Sequence, residues 1–126
     1  MSTPSTTQDT YPWQYEPTWS KSEKAIARKV FDAALNRELH EVMQEAKGKA
    51  NQINDPADVW DLEHYLTERR KEINRKYDYR CSELTHVFGR LLYEGRVSEE
   101  ELGGLQDDKL RRIRSLAKFL AEDTAA

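Results

Sequence analysis

The chain has 126 residues, with 20 Lys+Arg against 23 Asp+Glu for a formal charge of -3, and 37% hydrophobic residues beside 34% charged ones. One domain's worth of chain this polar buries only a modest core, and its near-neutral balance excludes a dedicated nucleic-acid coat, which carries a strongly basic footprint. No apolar run reaches the ~18 residues of a membrane span, no secretory leader is legible, and the single cysteine, Cys81, excludes an internal disulfide, so a soluble cytoplasmic protein is expected.

Residues 1–19 read as an N-terminal arm. Pro4, Pro12 and Pro17 fall there among serines and threonines, together with Tyr11, Trp13, Tyr15 and Trp19, aromatics expected to dock on the folded body. Ser20 and Glu23 have capping-box spacing and open a first helix. Its apolar residues recur every three or four positions, from Ile26, Val30, Phe31, Ala34 and Leu35 through Leu39, Val42, Met43, Ala46, Ala50 and Ile53. The helix should end near Asn54, because Asp55-Pro56-Ala57-Asp58 is a restart signal with Asp55 as N-cap. A second helix begins there and meets no obvious stop before Gly95. Val59, Trp60, Leu62, Leu66, Ile73, Tyr77, Leu84, Val87, Phe88, Leu91 and Leu92 are its apolar set. Ser98 and Glu101 form another capping-box pair, opening a short helix that Gly103-Gly104 ends. Asp107 or Asp108 caps a last helix with Leu110, Ile113, Leu116, Ala117 and Leu120 on one stripe. Nothing reads as strand. The expectation is an all-α, elongated bundle of two long helices plus two short C-terminal ones, occupying residues 20–122 as a single helical domain, with a tail at 123–126.

Length bears on assembly. A helix of ~30 residues spans ~45 Å at ~1.5 Å per residue, far beyond the ~13–14 Å radius of gyration of a compact domain of this size. A small monomer cannot cover the apolar faces of such rods, and a symmetric partner is the usual way to do so. A homodimer is therefore expected.

Chemistry is sparse. Asp61-x-x-His64 and Glu83-x-x-His86 place an acid and a histidine on one helix face, as in di-iron bundles, but such sites need two true pairs and two further carboxylates. No metal and no cofactor are expected. Cys81 would lie inside a long helix, where no oxyanion donors project. No phosphate loop, His-Glu-x-x-His or Gly-x-Ser-x-Gly is present, so an enzyme is not expected. The mixed run from Glu68 to Arg80 reads as a solvated face with pairs such as Glu72–Lys76. Lys109, Arg111, Arg112, Arg114 and Lys118 make the last helix basic, yet no helix-turn-helix signature accompanies them, and no nucleic-acid partner is expected. Trp60, beside Val59, Leu62 and Leu66, suits core packing or a binding hot spot.

The run Trp60-x-Leu62-x-x-x-Leu66-x-x-x-Arg70-x-Glu72-Ile73-x-x-Lys76-Tyr77-Asp78-x-Arg80 resembles the signature of the cyanobacterial fluorescence recovery protein family. The likeness continues through Val87-Phe88, Leu91-Leu92, Glu94-Gly95, Glu101-Leu102, Asp108-Lys109 and Ile113, and the first helix, with Phe31, Arg37 and Glu38, is compatible with it. The resemblance implies a cofactor-free helical homodimer that binds the photoactivated orange carotenoid protein, chiefly through that protein's C-terminal domain, or a related protein client. It implies faster return of that protein to its resting orange form, which ends quenching at the phycobilisome. By the same resemblance, Trp60, Leu62, Glu63, His64, Leu66, Arg70, Tyr77, Phe88 and Arg112 fall at the dimer or partner surface. This chain departs from the family at Leu62-Glu63-His64-Tyr65-Leu66, where the family has Leu-His-Asp-Phe-Leu, and at His86-Val87-Phe88, where it has Phe-Val-Phe. The aromatic N-terminal arm also differs from the family's short one.

Overall fold

Ser20 begins the first helix as its spacing requires: the Glu23 amide donates to Ser20 Oγ at 3.2 Å and the Ser20 amide donates to Glu23 Oε1 at 3.0 Å. The computed structural model describes residues 18–125. Among them four helices run in the order α1 (Lys21–Asn51), α2 (Pro56–Lys76), α3 (Leu84–Tyr93) and α4 (Asp107–Ala125), with no strand. Asp55 caps α2 in a reciprocal box with Asp58, and Pro56 occupies the first turn, where its missing N–H costs nothing. Trp19 is buried, whereas Tyr11, Trp13 and Tyr15 lie outside the described residues.

The core gathers at one end of the molecule, here called the head. Ala27, Val30, Phe31 and Ala34 of α1 meet Leu84, Val87, Phe88 and Leu91 of α3, with Val97, Leu102 and Leu105 of the connecting segment and Ile113 of α4. Full burial of each large side chain contributes about 1.5–3 kcal/mol. The α3–α4 contact is close because Gly89 has no side chain: a Cβ there would stand 2.8 Å from Leu116 Cδ2. The rest of α1 leaves the head and returns as α2, forming a hairpin. Of the 21 residues of α2 only Ile73 is buried.

Three expectations change. The second helix does not run to Gly95; it stops at Lys76, and residues 77–83 make an irregular turn before α3. No glycine or proline breaks it. Tyr77 and Tyr79 instead fold back onto Phe31, with ring centroids 5.4 Å and 4.9 Å away in edge-to-face geometry, and continued helix would carry them off that ring. Cys81 consequently sits exposed in the turn rather than inside a helix. After Ser98 the capping-box bonds form, with Ser98 N to Glu101 Oε1 at 3.0 Å and Glu101 N to Ser98 Oγ at 3.1 Å, yet the chain makes turns instead of a helix. Leu102 and Leu105 are drawn into the core, and Gly104, at φ 101°, takes a conformation that only glycine adopts readily.

Candidate protein-binding surfaces

Charged side chains fix the hairpin to the head. Glu38 of α1 is fully buried, and it accepts from Lys76 Nζ at 2.9 Å, Tyr77 Oη at 2.8 Å and Arg69 Nη2 at 3.3 Å. Lys76 also donates to Glu94 Oε1 at 2.8 Å, while Arg96 joins Glu94 at 2.8 Å and Glu41 at 2.8 Å. Arg69 and Lys76 thus turn inward from a run expected to be a solvated face, and the expected Glu72–Lys76 pair is replaced by Arg69 with Glu72. Buried ions are tolerated only when paired and hydrogen-bonded, and this cluster meets both conditions. Burial first, and then the bond to Glu38, raise the Tyr77 phenol above its ordinary range. A second knot forms at the start of α1. Glu23 accepts from the Gln106 amide at 2.9 Å and pairs with the buried Lys109 at 3.1 Å, and Lys109 also donates to the Thr18 carbonyl.

These knots make stability acid-sensitive. Burial acts to raise Glu94, but hydrogen bonds from Lys76, Arg96 and Arg90 override it and bring its carboxyl from 4.5 down to about 2. Glu23 behaves alike: burial opposes, and the Ser20 and Gln106 amides with Lys109 bring it from 4.5 to about 2. A depressed folded-state value gives stability that is whole above the unfolded value near 4.5 and is lost as pH falls toward 2. We expect the urea-unfolding free energy to be level above about pH 5 and to lose roughly 2–3 kcal/mol per carboxylate below it. Glu23→Gln and Glu94→Gln should each flatten the slope; an unaltered slope in both would remove these acids as its cause.

The hairpin exposes an apolar face. Val59, Leu62, Leu66, Arg70 and Ile73 recur at spacings of three and four along α2 and so share one stripe. Val59 is 44% exposed and Leu66 38%, and Leu62 is half-buried. On the flanking stripe Trp60 is 69% exposed, with Glu63 and His64 exposed a turn further on. Leu39 and Met43 of α1 are exposed as well. Tyr65 holds the two helices together, donating to Glu45 and lying under Lys49 Nζ at 4.8 Å from the ring centroid. One residue expected at a surface is not on one: Phe88 is wholly buried in the head because α3 turns it toward α1. Tyr77 is half-buried, with its hydroxyl on Glu38 and its ring against Phe31, because α2 ends one residue before it.

Arg112 lies elsewhere, half-buried in a groove of about 470 Å³ between α3 and α4 that His86, Arg111, Leu116 and Phe119 also line. Sequence reasoning passed over Phe119; its spacing of three from Leu116 and seven from Arg112 was the available signal. Glu83 stands at the N-cap position of α3 without a capping hydrogen bond, and among the described residues no group of histidine, cysteine and carboxylates is arranged to hold a metal ion. Nor is any helix of the described residues long and apolar enough to cross a membrane. What the surface offers is an apolar helical face and a basic, aromatic-edged groove, both suited to binding protein.

Comparison with known proteins agrees in kind. A family model described as photoprotection regulator fluorescence recovery protein matches residues 19–117. The chain is 40% identical over 104 residues to the fluorescence recovery protein of Synechocystis sp., covering 82% of this chain and 95% of that one. The solved structure of the Fremyella diplosiphon fluorescence recovery protein superposes with a TM-score of 0.76 at 39% identity, covering 80% of this chain and 99% of the other. The Synechocystis structure gives a TM-score of 0.77 at 40% identity over the same shares, 80% and 99%.

Proposed function

Because the chain belongs to the photoprotection-regulator family of fluorescence recovery proteins, we propose that it is a cytoplasmic, non-enzymatic homodimer that binds the photoactivated orange carotenoid protein. By binding, chiefly at the C-terminal domain of that protein, it speeds the return to the resting orange form and ends quenching at the phycobilisome, with no cofactor of its own. The observation that carries the reading is 40% identity to a fluorescence recovery protein across 82% of the chain. The exposed face of Val59, Trp60 and Leu66 supports self-association, since a hairpin with one buried residue in α2 has its apolar surface still to cover. A binder changes an equilibrium only through differential affinity, and it changes a rate only by binding the transition state more tightly than the starting state. The surfaces must therefore fit the client best part-way to its resting arrangement.

The test mixes this protein with photoconverted red orange carotenoid protein and follows the dark absorbance return to orange. Acceleration that rises with dose, at less than one dimer per client, is the expected result. A folded dimer that accelerates nothing would overturn the reading and assign the scaffold to a different protein client, as the changes at Glu63, His64 and His86 would then explain.

A further inference from the structure

The N-terminal arm joins the head at a fixed point. Trp19 is buried in the core, and Lys109 in the first turn of α4 donates to the Thr18 carbonyl and stands 5.6 Å from the Trp19 ring centroid. Trp19 Nε1–H is buried there with no acceptor among the described residues, and a buried donor without a partner costs about 1–3 kcal/mol. The arm is the nearest source of one. From this point the α3–α4 groove is within reach. Phe119 at its mouth is ten residues along α4 from Lys109, about 15 Å, and Leu116 in its wall is seven, about 10 Å. Trp13 is five residues from Thr18, about 17 Å of extended chain, and Tyr15 is three, about 10 Å. Phe119 is 61% exposed, and among the described residues of the head only Tyr93 is another exposed large hydrophobic. The groove lining includes Arg111 and His86, both exposed, and no acid, whereas residues 1–17 carry Asp9 and Glu16 and neither lysine nor arginine.

We infer that the arm seats Trp13 and Tyr15 in the α3–α4 groove of its own chain and so acts as a built-in competitor for any partner that approaches there. The competition rests on the proposed action upon a protein client, since the family resemblance puts Arg112, in the wall of this groove, at the dimer or partner surface. In an extended segment alternate residues share a face, so Trp13 and Tyr15 enter together, and Pro12 and Pro17 disfavour helix at the residues before them. A short tether sets an effective concentration near the millimolar range, so that even a weak contact fills the groove for much of the time. A client then meets only the fraction of molecules whose groove is clear, and its apparent affinity falls by that fraction.

The experiment compares the unaltered full chain with the double variant Trp13→Ser, Tyr15→Ser, which changes only the arm. Amide NMR spectra, light scattering and the Kd for photoconverted orange carotenoid protein are measured on both. The expected result is shifted amide resonances at His86, Arg111, Ser115 and Phe119, an unchanged oligomeric state, and client binding about two- to tenfold tighter in the variant. Unshifted groove resonances would overturn the inference whatever the client does. Shifted resonances with client affinity unchanged would overturn the competition. Loss of self-association in the variant would assign the arm to a contact between copies and overturn the proposal too. If neither form binds the client, the functional reading falls and the competition with it, and the groove resonances alone then decide the seat of the arm.

Discussion

Leu66→Glu is expected to leave the protein at its monomer mass of 14.8 kDa in light scattering at micromolar concentration, where the unaltered chain should show twice that mass. Leu66 is 38% exposed in the protomer and lies on the stripe of Val59 and Leu62, so a symmetric partner would bury it. An unpaired carboxylate in such a face costs about 3 kcal/mol or more. A two-fold interface contains every substitution twice, which brings the loss to about 6 kcal/mol, or roughly four powers of ten in the dissociation constant. Trp60→Ala should act in the same direction and less strongly, since truncation removes contact without burying a charge. The head core draws nothing from Leu66 or Trp60, so helicity from α3 and α4 should persist in both variants. A dimer unchanged by Leu66→Glu would place the interface elsewhere than on this face of α2.

Glu38→Ala should lower the unfolding free energy by about 3–5 kcal/mol, because it removes the acid that Lys76, Arg69 and Tyr77 all engage. Lys76 keeps Glu94 at 2.8 Å, yet three side chains of α2 and the turn after it lose their common partner on α1. The internal control is Glu41, one turn away on α1, whose side chain is 46% exposed and which pairs with Arg96 at 2.8 Å. Exposed pairs contribute about 0–1 kcal/mol, so Glu41→Ala should shift the urea midpoint little. Equal shifts in the two variants would mean that burial at Glu38 carries no special weight. The Glu38→Ala hairpin should also exchange its amide hydrogens faster than the head, as a unit cut loose from its anchor.

Residues close in the chain determined much of this protein. Ser20 with Glu23 and Asp55 with Asp58 fix where α1 and α2 begin, and Pro56 marks the restart, because capping is settled within four residues. The spacing of Leu39, Met43, Val59 and Leu66 likewise shows apolar faces on rods too long for a small head. The Lys76-Tyr77-Asp78-x-Arg80 stretch carries the family in its own register. None of this needs the fold.

Tertiary structure alone decided which of these features face inward. Residues 77–83 contain nothing that stops a helix, and the stop comes from Tyr77 and Tyr79 reaching Phe31 and from Tyr77 reaching Glu38, 39 residues away. Glu38 and Glu41 are alike as sequence, three apart on one helix, yet one is fully buried and the other exposed because Lys76 and Tyr77 close over Glu38 and not over Glu41. Phe88 and Phe119 are both aromatics on apolar stripes of short helices, and packing against α1 hides the first while leaving the second at 61% exposure. Local hydrogen bonding and helical period are properties of a few consecutive residues, whereas burial is a property of what distant elements bring together.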